Sequence, residues 1–278
     1  MTDTNVSSPA HQAPPRVDCH AHLYTVDMPQ AEGAWHRPPR DATLEDYLGT
    51  LDAHGVGFAV LAAASIYGDY NDYHVEALRR HRRRLRSTII AHPGIDRFFL
   101  ERMDAEGVVG IRLQWRYLPA LPNLTAPDYR LLLRRVADLG WHVHLHDNSP
   151  RLQETLERLE AAGVAKIVVD HFGRPDPARG VQCPGFQALL RAVDRGRTWV
   201  KLSAGYRLES VEACAAYAGA LLAAGGPERL VWGSDWPFAA FEDRVTYQST
   251  LDDFKRWVPD AQTRRIIGGE TAYELYFT

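Results

Sequence analysis

From Arg16 onward the chain alternates short apolar or β-branched runs with longer stretches of helical period, the pattern of repeated βα units around a parallel sheet. The runs predict strands at Val17 to His20, Gly57 to Ala64, Leu85 to Ala91, Val108 to Leu113, His142 to His146, Lys166 to Asp170, Thr198 to Ser203 and Leu230 to Gly233. Helices are predicted at Thr43 to His54, Tyr73 to Arg83, Asp96 to Glu106, Pro127 to Leu139, Pro150 to Ala161, Phe186 to Arg195, Ser210 to Ala223 and Thr246 to Trp257, with a closing helix near Asp260 to Gly268. Boundary signals agree: Asp128 follows Pro127, Pro150 follows Ser149, and Gly140, Gly163 and Gly225 read as stops. Strands and crossovers in this alternation predict a single (β/α)8 TIM-type barrel over residues 16–278. An open doubly wound sheet would need a glycine-rich phosphate loop after its first strand, and "DCHAHLY" offers none.

A barrel builds its active site from the carboxyl ends of its strands. Polar residues fall there: His20 and His22 on strand 1, Ser65 on strand 2, Arg112 on strand 4, His146 on strand 5, His171 on strand 6, Ser203 on strand 7 and Asp235 on strand 8. Alternation places Asp18, His20 and His22 on one side of strand 1, with Cys19 and Ala21 on the other. A lone strand histidine is usually structural, whereas two at i and i+2 at a barrel mouth point to chemistry. Asp235 sits in "WGSDWP", where a strand breaks into a loop. The bland role is capping backbone N–H groups; the chemical one is a general base toward water, typically worth roughly 10² to 10⁴ in rate. His171 and its neighbours could polarise a carbonyl, each aimed donor contributing about 3 kcal/mol. Arg112, Arg116, Arg174 and Arg207 lie at or just past strands 4, 6 and 7, and guanidinium groups match carboxylates, which predicts a small anionic substrate. His142 and His144 sit deeper and read as interior residues with satisfied ring nitrogens.

The 278 residues are 45% hydrophobic and 24% charged, an average globular composition. A formal net charge of -3 gives no bulk attraction to nucleic acid or anionic lipid, so neither is an expected partner. The basic run Arg79 to Arg86 enters strand 3 from its amino end and reads as solvated surface. Cys19, Cys183 and Cys214 are widely separated, as expected of free thiols in a cytoplasmic protein. Residues 1–15 are polar and proline-rich and read as a flexible tail rather than a signal peptide. The apolar stretch Val211 to Ala224 is too short for a bilayer span. No pattern specifies an oligomeric state.

In order and spacing, "VDCHAH", "IVVDHFGRP", "VKLSAGYR" and "VWGSDWP" resemble the amidohydrolase superfamily, in its lactonase branch typified by 2-pyrone-4,6-dicarboxylate lactonase. The resemblance covers nearly the whole chain after Arg16 and implies an amidohydrolase-like barrel that hydrolyses a lactone. It implies that Asp235 takes a proton from water, that His20, His22 and His171 hydrogen-bond the lactone carbonyl, that Arg112, Arg174 and Arg207 hold substrate carboxylates, and that Ser65 contributes to the pocket. The chain departs from the branch in lacking a tyrosine in "RPPRDAT", in the register of Arg116, and in placing Phe238, Ala239 and Ala240 after "DWP".

The typifying lactonase works without metal and has a tyrosine where this chain has His146. The favoured expectation is therefore catalysis with no required cofactor. The alternative is a single divalent ion, zinc or manganese, on His20, His22, His146, His171 and Asp235, and with it a metal-dependent decarboxylase. No lysine ends strand 4, which argues against a two-metal site on a carboxylated lysine. A non-catalytic barrel that binds small acids is the third possibility.

Overall fold

The structure, a computed structural model, describes residues 13–278. The first twelve residues of the expected tail lie outside the described residues. Residues 13–15 have no regular structure, yet Pro15 packs so closely on Gly268 that a Cβ there would come within 2.8 Å of it.

The strands are β1 (Val17–Ala21), β2 (Phe58–Leu61), β3 (Leu85–Ile89), β4 (Val108–Gln114), β5 (His142–His146), β6 (Ile167–Val169), β7 (Thr198–Ser203) and β8 (Leu230–Gly233). They form one parallel sheet in sequence order, β1 to β8. The ring is completed just past β8, where Asp235 N–H donates to His20 O and His22 N–H donates to Trp236 O, both at 2.8 Å. Outside lie α1 (Leu44–Ala53), α2 (Asp72–His81), α3 (Arg97–Glu106), α4 (Pro127–Asp138), α5 (Ser149–Ala161), α6 (Pro184–Asp194), α7 (Val211–Gly225) and α8 (Tyr247–Trp257). The architecture is the expected (β/α)8 barrel.

Local chemistry sets the helix starts. Thr43 and Asp46 form a capping box on α1, Thr246 and Ser249 form another on α8, and Asp96 and Ser210 cap α3 and α7. Several expected boundaries move by one to three residues, those of β2 and α7 among them. β2 ends at Leu61 rather than Ala64, because the backbone carbonyls of Ala62 and Ala63 leave the sheet to accept from His22 and Arg112. α7 runs through Gly225, and Gly226, at φ 70°, ends it. The closing helix is longer than expected and broken: α9 (Ala261–Arg265) passes through a π-turn at Ile266–Thr271 into α10 (Ala272–Phe277). Ala272 and Tyr276 of α10 pack on Val17, Cys19, Val60 and Val231, sealing the amino end of the barrel. In the basic run, Arg79, Arg80 and Arg84 pair on the surface with Glu106, Glu45 and Asp52. No helix among the described residues is long and apolar enough to cross a membrane.

Candidate active site

A one-residue bulge shapes the first motif. β1 pairs with β2 through Asp18 and then Ala21, three residues against the two that separate Ala59 and Leu61. Simple alternation therefore fails. Asp18 faces the helices, accepting from Tyr47 of α1, Tyr247 of α8 and Ser234, while Cys19 packs inside the barrel. The bulge lets His20 face inward directly after Cys19, and His22 follows at the mouth. β8 must come very close here: a Cβ on Gly233 would lie 2.6 Å from the Cβ of His20.

His22 Nδ1 lies 2.6 Å from Ala62 O, a carbonyl that can only accept, so the ring proton sits on Nδ1 and Nε2 is bare. His20 Nδ1 lies 3.1 Å from the acceptor-only Asp170 Oδ1, nearer than the 3.4 Å to Lys201 Nζ, which donates to Cys19 O, so the proton is placed on this nitrogen as well. The two bare Nε2 atoms meet at 3.3 Å, and Asp235 Oδ1 stands 3.6 Å from one and 3.4 Å from the other. Three acceptors thus converge with no donor among them. His171 joins them, its Nδ1 tied to Ser203 Oγ at 2.8 Å. Burial pushes the His20 ring down to about 3, with Lys201 adding to the effect and Asp170 opposing it. Burial also holds His171 and His146 well below the usual range, so these rings are neutral. For Asp235 burial acts upward, but Arg207, His171, His22 and His20 together hold the carboxyl well below its usual range. Its Oδ2 accepts from Tyr206 Oη at 2.6 Å and Arg207 Nε at 2.7 Å, leaving Oδ1 for the histidines.

Beneath this cluster lies a buried charge network that the sequence reading missed. Asp170 binds His144, His20 and Arg112, with Lys201 Nζ 3.9 Å away. Lys201 donates to Cys19 O at 2.7 Å and lies 3.4 Å from His20 Nδ1, and burial lowers its ammonium to about 8. A charge inside each apolar strand run, Asp in "IVVDH" and Lys in "WVKLS", was the available signal. Tyr206 was missed too. His144 is satisfied as expected, by Asp170 and Thr88, whereas His142 Nε2 has no partner among the described residues.

A cavity of about 230 Å³ opens above the cluster, lined by His22, His146, His171, Asp235, Ser65 and the four rim arginines. The arginines differ. Arg112 is spent internally on Ala63 O and Asp170, and Arg207 on Asp235 and Ala239 O. Arg174 has a buried, unpartnered Nη1, and Arg116 lies over Tyr117 at 5.0 Å. Ser65 Oγ accepts from Trp35 Nε1 at 3.3 Å. Both ring nitrogens of His146 are buried without a partner among the described residues. The mouth also concentrates strain: His171, Phe172, Arg174, Ala204, Asp235, Phe238 and Ala240 all have positive φ.

The amidohydrolase family profile matches residues 17–278. The chain belongs to the amidohydrolase family. A 4-sulfomuconolactone hydrolase of Rhizobium radiobacter is 29% identical over 90% of this chain and 86% of its own length. A 2-pyrone-4,6-dicarboxylate hydrolase of Comamonas testosteroni is 27% identical over 98% and 94%. Among solved structures, an Acinetobacter baumannii protein described as a probable 2-pyrone-4,6-dicarboxylic acid hydrolase, with citric acid bound, matches at a TM-score of 0.90 and 29% identity, covering 95% of this chain and all of its own.

Two findings correct the expectation that no cofactor is required. Two solved proteins of this fold carry metal: an amidohydrolase from Burkholderia multivorans holds zinc (TM-score 0.77, 19% identity) and a Polaromonas dihydroxybenzoic acid decarboxylase holds manganese (TM-score 0.68, 17% identity). In this chain, ligand atoms of His20, His171 and Asp235 lie within 4.8 Å of one another, all buried. The donor set fits a divalent cation, because bare imidazole nitrogens and a carboxylate oxygen that face each other repel unless a positive centre lies between them. The orphaned nitrogens of His146 point the same way.

Proposed function

We propose that this amidohydrolase opens the ring of a small anionic lactone by hydrolysis, with Asp235 as the proton acceptor. The observation that carries the proposal is the convergence of Asp235 Oδ1 with the bare Nε2 atoms of His20 and His22 at the floor of a cavity whose wall offers the free guanidinium of Arg174. Lactone-hydrolysing relatives along nearly the full chain support the ring-opening reaction.

Water attacks the lactone carbonyl carbon and gives up a proton to Asp235, the ring C–O bond breaks, and Asp235 returns that proton to the departing ring oxygen. Tyr206 and Arg207 hold Oδ2 so that Oδ1 faces the water. His20 and His22 have committed their protons to Asp170 and Ala62, so they present lone pairs rather than donors, and His171, its Nδ1 tied to Ser203, turns its other nitrogen toward the same cluster. Arg174 and Arg116 receive the anionic substituent; Arg112 and Arg207, already paired, shape the wall. His20, His22, His171 and Asp235, with His146 beside them, would hold a divalent ion, which supplies Lewis acidity toward an oxygen atom it contacts. Three buried cysteines without disulfides support a cytoplasmic location.

The test is turnover of a panel of carboxylated and sulfonated lactones, followed by ring-opened product. Asp235→Asn is expected to lower kcat by roughly 10² or more. No turnover across the panel by wild type, or an undiminished rate in the variant, would overturn the proposal.

A further inference from the structure

The bulge in β1 is held by two buried charged side chains that take no part in the bond changes. Both polar ends of the peptide joining Cys19 to His20 are bound by them: Lys201 Nζ, on β7, donates to Cys19 O at 2.7 Å, and His20 N–H donates to Asp18 Oδ1 at 3.1 Å. A bulge leaves its extra residue outside the ladder, so the plane of such a peptide turns easily unless other groups fix it. Here a cation fixes one end and an anion the other. Asp18 is itself fixed, accepting from Ser234 N–H at 2.9 Å, Ser234 Oγ at 2.6 Å and Tyr47 Oη at 2.9 Å.

Lys201 is wholly buried. An ammonium inside a barrel loses more hydration than one hydrogen bond returns, and an apolar side chain of the same length would fill the core as well. Nor does Asp170 need it as a counterion: Lys201 Nζ stands 3.9 Å away, whereas Arg112 already binds Asp170 at 2.8 Å. What the lysine reaches is the peptide before His20, with His20 Nδ1 3.4 Å away. Turning that peptide would swing the His20 side chain, drawing Nδ1 off Asp170 and Nε2 away from Asp235. The ring has no room to compensate on the other side, where β8 packs against it at Gly233.

We infer that Lys201 is a positioning residue: by holding the Cys19–His20 peptide against Asp18, it keeps the His20 imidazole turned into the site. The inference rests on the proposal that His20 belongs to the reacting cluster.

Lys201→Met keeps the length of the side chain and removes the donor, and Asp170 retains Arg112, so no buried charge is left alone. The variant is expected to fold with a Tm within roughly 4 °C of wild type. Its kcat is expected to fall roughly 10²-fold, the scale of a reacting group displaced by about 1 Å, with KM changed less than about 3-fold because Arg174 is untouched. A purely structural role would lower Tm and leave kcat per folded molecule intact. Nitrogen-15 NMR of the histidine-labelled, chelator-treated full chain reads the ring without turnover. The His20 signal, identified by its loss in His20→Ala, is expected to show a single Nδ1–H form in wild type and a mixture of ring forms in Lys201→Met, while His74 stays unchanged. An undiminished kcat, a rate that falls only in step with unfolding, or an unaltered His20 signal would overturn the inference, as would failure of both Lys201→Met and Lys201→Gln to fold. Wild type that opens no lactone while Lys201→Met alters the His20 signal would instead overturn the lactone reaction alone.

Discussion

His20 and Asp170 meet at 3.1 Å through Nδ1 and Oδ1, and this contact dictates that the opposite nitrogen of His20 faces Asp235 without a proton. Asp170 also balances Arg112 and Lys201 inside the barrel. Asp170→Asn removes the charge while keeping the shape, so two cations lose their counterion and His20 loses the partner that fixes its tautomer. Outer partners of this kind typically contribute roughly 10- to 100-fold to metal affinity or activity, and unpairing a buried charge costs about 3–5 kcal/mol. The variant is expected to show both losses, read as kcat on the lactone substrate and as the denaturant midpoint. A variant with wild-type stability and rate would remove Asp170 from the site.

The barrel was legible because strand and helix periods differ sharply, and the boundaries of β5, β7 and β8 follow directly from their apolar runs. The residues His20, His22, His171, Asp235 and Arg174 were legible as a group because a barrel gathers strand ends. What alternation could not supply was the β1 bulge, which depends on pairing with β2 and on Gly233 admitting His20. The partners of the arginines were hidden for the same reason. Arg112 reads as a substrate clamp until Asp170, 58 residues away in sequence, is placed against it. The metal expectation failed because it rested on one relative, whereas the tautomers of His20 and His22 emerge only when Asp170 and Ala62 are in place.

Those tautomers make a prediction about metal. Protein incubated with zinc or manganese and then desalted is expected to retain a divalent ion by elemental analysis and to unfold at a higher temperature than chelator-treated protein. An ion at 100 times its Kd stabilises by about 2.7 kcal/mol. His20→Ala and His22→Ala should abolish both the retention and the shift. Equal thermal stability of metal-loaded and chelated wild type would count against the site.

Arg174 has a buried Nη1 without a partner among the described residues, and, unlike Arg112 and Arg207, its guanidinium is not paired with a carboxylate there. Burial lowers it to about 10, with the Arg116 and Arg207 charges adding to the effect, so it remains a cation that gains from an anion in the cavity. Charge-assisted hydrogen bonds contribute about 1.5–3 kcal/mol, so Arg174→Ala is expected to raise KM by roughly 10- to 100-fold with a smaller change in kcat. Arg112→Ala should instead destabilise the fold, because its bonds are internal. Steady-state kinetics and thermal unfolding of the two variants check this division, and a loss of stability in Arg174→Ala with unchanged KM would reverse it.

Two histidines away from the mouth should make stability depend on pH. His74 Nε2 accepts from Leu23 N–H, and burial lowers the ring to about 3. His142, near the sealed end, is also lowered to about 3, by burial and then by Lys201. Both are neutral when folded and titrate near 6.5 when unfolded. Between those values the unfolded chain binds more protons, so stability is fully present above about 6.5 and falls as pH drops toward 3. At pH 5 each ring costs about 2 kcal/mol relative to neutral pH, a fall in Tm of roughly 4–8 °C per ring for a chain of this size. His74→Gln keeps an acceptor for Leu23 N–H and does not titrate. Thermal unfolding of that variant at pH 7.5 and pH 5 is expected to show a smaller difference than wild type, and an equal difference would mean that His74 is already protonated in the fold.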